Sequence, residues 1–152
     1  MPIIKNVKLI LKDKYKNQKA LAIDYGEKRF GTAISDQLGI IANGFKIIER
    51  TNIESDLKHL LTIIQNEQIN FIVFGLPKSL DNKTTITSQR AKSFANLLNQ
   101  NLAIDIFFWD ERFSSRSAEK IAYKAKEFKN KHDDNIAAAI ILQNFLDFKN
   151  KG

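Results

Sequence analysis

A chain of 152 residues, 43% of them apolar, can bury one substantial core and fits one domain of ordinary size. It contains no cysteine, which excludes disulfides, thiolate zinc sites and cysteine nucleophiles, and no run approaches the roughly 18 apolar residues of a membrane span. The net charge of +7 is concentrated rather than spread: residues 1–19 hold six lysines against Asp13, and residues 112–132 hold seven basic side chains against Glu119 and Glu127. Two such segments suit a polyanionic partner; a solvated helix face plus a soluble tail accounts for them equally well.

Residues 1–19 read as a basic extension ahead of a domain at 20–150. Their apolar positions allow a helix turn or an edge strand. They lack an apolar segment followed by a small-residue cleavage site, so no secretory signal is expected and the expected location is the cytoplasm. ALAID (20–24) is a continuous apolar run, as in a strand covered on both faces. Tyr25-Gly26 supplies a turn, RFGTAIS (29–35) alternates as a second strand, and Asp36 to Gly39 turns again into a third strand near Phe45 to Glu49. Short connections make these three an antiparallel meander.

The period then changes. Ile53, Leu57, Leu60, Leu61 and Ile64 have helical spacing. FIVFG (71–75) is a buried strand, and residues 85–99 form a helix with Ala91, Phe94, Ala95 and Leu98 on one face. IDIFFW (104–109) is the fifth strand. A basic helix is expected after Ser114 or Ser115, with Arg116, Lys120 and Lys124 along one side, and a last helix from about Asp134 to Phe148. The order βββαβαβαα predicts an α/β fold: a five-stranded mixed sheet with helices on both faces, its later strands parallel to the first.

Three acidic points fall where such sheets bind ligands, at the carboxyl edge. Asp24 ends the first strand, and Asp110-Glu111 ends the fifth. Alternation sends 110 and 111 to opposite faces, so one of them joins Asp24. Asp134 shares a helix face with Ala137, Ala138, Ile141 and Phe145, which packs inward; alone it would read as an ordinary helix cap. Clustered carboxylates repel unless a cation lies between them, and an all-oxygen set suits Mg²⁺ or Mn²⁺. His59 falls off the apolar face of its helix, and His132 reads as a solvated loop residue. No Ser-His-Asp arrangement can be assembled.

At these residues the chain resembles a known family. IDYGEKRFGTAISD (23–36), FIVFGLPKSLDN (71–82), WDERFSS (109–115) and DNIAAAIILQNFLD (134–147) resemble, in order, the motifs of the YqgF family of RNase H-like proteins, related to the RuvC Holliday-junction resolvases. Phe113-Ser114-Ser115 stands for the usual Leu-Thr-Thr, and Glu27 for a common Thr. The resemblance implies an RNase H-like fold and a Mg²⁺-dependent nuclease with Asp24, Glu111 and Asp134 as site carboxylates. It implies 5′-end processing of precursor 16S ribosomal RNA, with Holliday-junction resolution as the alternative. Lys28, Arg29, Arg112, Arg116, Lys120 and Lys124 are the candidate nucleic-acid contacts. The expected partner is precursor rRNA, with branched DNA second, for a monomer or homodimer.

Two other classes compete. Asp24 to Gly31 also fits D-x-G-x-x-x-x-G, a phosphate loop of actin-like ATP-binding folds, although 152 residues leave no room for the second domain such folds use. A catalytically silent nucleic-acid binder would need only the basic segments.

Overall fold

The computed structural model describes residues 4–5, 15–76, 85–110 and 134–150. The apolar runs become the centre of one mixed sheet. Its strands are β1 (Ile4–Lys5), β2 (Ala20–Asp24), β3 (Arg29–Ser35), β4 (Ala42–Glu49), β5 (Phe71–Leu76) and β6 (Asp105–Asp110). Helices α1 (Ile53–Asn66), α2 (Ile86–Gln100) and α3 (Asp134–Asn150) cover it.

The strand order is β1-β6-β5-β2-β3-β4. β2, β3 and β4 form the antiparallel meander, while β5 and β6 run parallel to β2. The five expected strands thus form in the expected directions, and the two-residue β1 adds a sixth, parallel to β6. β4 starts at Ala42, three residues before the expected Phe45, because Ala42, Asn43 and Gly44 still pair with Ser35, Ile34 and Ala33. The helix expected after Ser114 or Ser115 lies outside the described residues.

The pleat divides the core in two. Leu21, Ile23, Ile72, Phe74 and Ile106 face α1 and α2, against Leu60, Ile64, Phe94 and Leu98. Ala20, Ala22, Phe71, Val73, Phe107 and Trp109 face α3, against Ala138, Ile141, Leu142 and Phe145. The alanines of β2 let α3 lie close, and the rings of Phe71, Phe107 and Trp109 surround Phe145 at 5.2–5.8 Å between centroids. Each such fully buried ring contributes about 1.5–3 kcal/mol. Tyr15, ahead of β2, joins this core between Phe71 and Phe107, and its hydroxyl donates to the Asp105 carboxylate. Burial, then Asp105, pushes the Tyr15 phenol well above its ordinary pKa.

Helix faces follow the sequence with one exception. Ala91, Phe94, Ala95 and Leu98 of α2 are buried as expected, and Thr85 caps that helix through a capping box with Ser88. On α1, Ile53 is 52% exposed, whereas Asp56 is 2% exposed. The expected apolar face therefore begins one turn late, with a carboxylate in place of the first aliphatic side chain.

Asp36 fixes the turn into β4. Its Oδ1 accepts the N–H groups of Ile40 at 2.8 Å and Ile41 at 3.0 Å. Burial alone would raise this carboxyl, but the backbone donors of Ile41, Ile40 and Gly39 outweigh it and lower the pKa. A lowered folded-state pKa stabilises fully above the unfolded value and is lost as pH falls through the folded one. Asp36→Asn should therefore lower the urea midpoint at neutral pH, with a gap from wild type that narrows below about pH 4. A gap independent of pH would show that the charge contributes nothing.

Candidate active site

β2 ends on a charge at the carboxyl edge of the sheet. Asp24 is in register with Gly75 of β5, which is in register with Trp109 of β6. By alternation with Ala20 and Ala22, Asp24 lies on the face that α3 covers. α3 runs back along that face. Asn150 donates to the Gly39 carbonyl, Gln143 donates to Ile40 and accepts from Ala42, and Asn135 lies against Gly44. Its first turn therefore lies toward the end of the sheet where β2, β5 and β6 finish, over Gly44, which is in register with Ala33 and through it with Ala22. Gly44 permits this approach, since a Cβ there would stand 3.2 Å from the Asn135 carbonyl oxygen.

The loop after Asp24 is tight. A Cβ on Gly26 would fall 2.4 Å from the carbonyl oxygen of Arg29, a backbone atom that cannot swing away. The turn thus brings Lys28 and Arg29 back beside Asp24. Asp24, Tyr25, Gly26, Lys28, Arg29 and Gly31 line an open cavity of about 180 Å³. Lys28 is exposed, and Asp24 and Arg29 are half-buried. Arg29 Nε lies 3.9 Å from Glu49 Oε1 on the neighbouring strand. One carboxylate and two cations at the rim of a small cavity can hold a phosphate against a hard cation.

Of the sequence-derived candidates, Asp24, Lys28 and Arg29 converge here. Glu111, Arg112, Arg116, Lys120 and Lys124 lie outside the described residues, as does the side chain of Asp134. Among the described residues, no three His, Asp or Glu side chains come together. β5 ends on Gly75 and Leu76 and supplies no carboxylate; β6, two strands from β2 at about 4.8 Å per step, ends at Asp110. His59 is exposed and lines a different cavity, beside Phe45 to Glu49.

The sequence did not single out Arg50. It follows β4 and turns inward behind the Asp24 loop. Nε donates to Asp56 Oδ2 at 3.0 Å and Nη1 to the Gly26 carbonyl at 3.0 Å. The one available signal was Asp56 itself, four residues before Leu60 on the core side of α1.

A profile of the RuvX family, described as Holliday junction resolvase, matches residues 18–148. The chain belongs to the RuvX family. Curated relatives include one from Clostridioides difficile, 37% identical over 86% of this chain and 95% of its own length, and one from Maridesulfovibrio salexigens, 41% identical over 84% and 97%. Both are named as candidate pre-16S rRNA nucleases. Two solved folds are similar. Thermus thermophilus RuvC in complex with a Holliday junction substrate has a TM-score of 0.59 at 9% identity, over 87% of this chain and 95% of that one. The yeast mitochondrial Holliday junction resolvase Ydc2 has 0.56 at 11%, over 94% and 82%. The fold is therefore RNase H-like, and this RuvX family member is a phosphodiester-bond hydrolase. Among its described residues, no helix is long and apolar enough to cross a membrane.

Proposed function

We propose that this chain is a metal-dependent nuclease acting in 5′-end processing of precursor 16S rRNA, with Asp24, Glu111 and Asp134 as its ligands for Mg²⁺ or Mn²⁺. The observation that carries this reading is Asp24 at the end of β2, in a cavity shared with Lys28 and Arg29 and on the face where α3 begins. The names of the curated relatives support rRNA as the substrate.

The donor chemistry fits a hard divalent ion. Asp24 offers carboxylate oxygen, the chain has no thiolate, and the described histidine lies in another cavity. Such an ion, when bound, lines up a water and offsets charge on the phosphate oxygens. Asp24, Glu111 and Asp134 would hold it, and Lys28 and Arg29 would orient the scissile phosphate. Arg112, Arg116, Lys120 and Lys124 track the strand beyond. Water oxygen adds to phosphorus, the bond to the 3′ oxygen breaks, and that oxygen takes a proton. The products are a 5′-phosphate and a 3′-hydroxyl.

The family description and the RuvC-like fold favour a second reading, junction resolution. Labelled precursor rRNA and a four-way DNA junction, each incubated with the purified protein in Mg²⁺ or Mn²⁺, separate the two. The expected result is RNA shortened at its 5′ end with the junction uncut. Paired nicks in the junction with intact RNA would reverse the assignment. Saturable ATP binding with neither substrate cut would point to an actin-like module.

A further inference from the structure

The Asp24 loop has a buried anchor. Arg50 is 12% exposed at its side chain and Asp56 2%, and they pair at 3.0 Å between Nε and Oδ2. The guanidinium also lies over three rings, at 4.8 Å from the centroid of Tyr25, 4.5 Å from Phe30 and 5.7 Å from Phe94. Its remaining arm reaches the carbonyl of Gly26 at 3.0 Å, and its own backbone N–H donates to the Lys28 carbonyl at 2.9 Å. Asp56 also accepts from the Thr51 N–H. Burial works against the charge on Arg50, but hydrogen bonds to Tyr25 and Asp56 outweigh it and raise its pKa.

We propose that Arg50 is a positioning residue for the Asp24 site, a strut that ties residues 25–28 to the Asp56 carboxylate and so fixes the carboxylate and the cations flanking it. The proposal rests on the nuclease reading for its kinetic consequence. A planar fork meets all three demands at once: a carboxylate on α1, a carbonyl in the loop, and a cluster of three aromatic rings packed against one another. A lysine ammonium has three donors but no fixed fork to span the two acceptors and no planar face to stack. The same loop has a second tie, from Glu27 to Arg90 at 3.1 Å and Thr87 at 3.3 Å on α2. That ion pair is exposed on both sides, at 61% for Arg90 and 42% for Glu27, so water competes with it. Loop geometry therefore depends chiefly on the buried strut.

Two variants test this. Arg50→Ala leaves a cavity the shape of its lost guanidinium. Arg50→Met with Asp56→Asn removes both charges, keeps an acceptor for the Thr51 N–H, and avoids an unpaired buried carboxylate. Cleavage of precursor rRNA should lose tenfold or more in kcat in both, with KM within about threefold. Amide exchange should quicken in residues 25–29 while Phe71–Leu76 keep their protection. Millimolar guanidinium should restore part of kcat to Arg50→Ala, and equal sodium chloride should not. Wild-type kcat in either folded variant would overturn the proposal. So would a loss that tracks only the unfolded fraction and resists guanidinium. If wild type cuts neither substrate, the nuclease reading fails, and exchange in residues 25–29 decides the strut alone: unchanged exchange overturns it.

Discussion

Asp24→Asn is expected to lower Mg²⁺-dependent cleavage of precursor rRNA by about 100- to 1000-fold while leaving RNA binding within a few fold. The substitution keeps the size of the side chain and removes its charge. An ion in such a site supplies several kcal/mol of charge stabilisation in the transition state, and each 1.4 kcal/mol is about tenfold in rate. Binding should respond differently: in the proposed function it rests on the lysines and arginines, so its salt dependence should not move. Single-turnover kinetics beside filter binding at two salt concentrations separates the effects. Full activity in the variant would remove Asp24 from the chemistry, and a parallel loss of binding would make it a substrate contact.

Gly26→Ala should have the next largest effect. The added Cβ would sit 2.4 Å from the Arg29 carbonyl oxygen, so the turn must open. Overpacking of this kind costs about 1–3 kcal/mol. At roughly 2–4 °C per kcal/mol for a domain of this size, that lowers Tm by about 2–12 °C. The kinetic loss should exceed what Tm suggests. Opening the turn moves Lys28 and Arg29 relative to Asp24 and strains the Gly26 carbonyl bond to Arg50. A displacement of about 1 Å at a reacting centre can cost about a hundredfold. A folded Gly26→Ala protein with wild-type kcat would show that the tightness of this turn does not matter to the site.

The sheet was legible because its signals are local. A continuous run of strand length such as ALAID is typical of a strand with both faces covered, and β2 has Ala20 and Ala22 under α3 with Leu21 and Ile23 under α1 and α2. Short turns forced the meander, and long helical crossovers forced the parallel pairs. The start of β4 was not legible because Asn43 and Gly44 are poor strand formers, held by ladder partners that only the folded sheet provides. β1 was left open for a similar reason: two residues have no period.

The site divides in the same way. Asp24 stood out as a charge ending an apolar run, and Lys28 and Arg29 lay within the same motif. Arg50 and Asp56 did not stand out, because their meaning depends on the packing of α1 beside the Asp24 loop. A carboxylate among Leu60, Ile63 and Ile64 on the buried side of α1 was the local conflict that marked it. The part of the proposed site beyond β6, Glu111 with Arg112 to Lys124, lies outside the described residues.

Whether Asp24 holds a divalent ion is read by Mn²⁺ titration followed by electron paramagnetic resonance. Wild type should remove Mn²⁺ from solution saturably, Mg²⁺ should compete for the same site, and Asp24→Asn should weaken the binding by tenfold or more. Equal Mn²⁺ binding by the two proteins would show that Asp24 does not hold the ion.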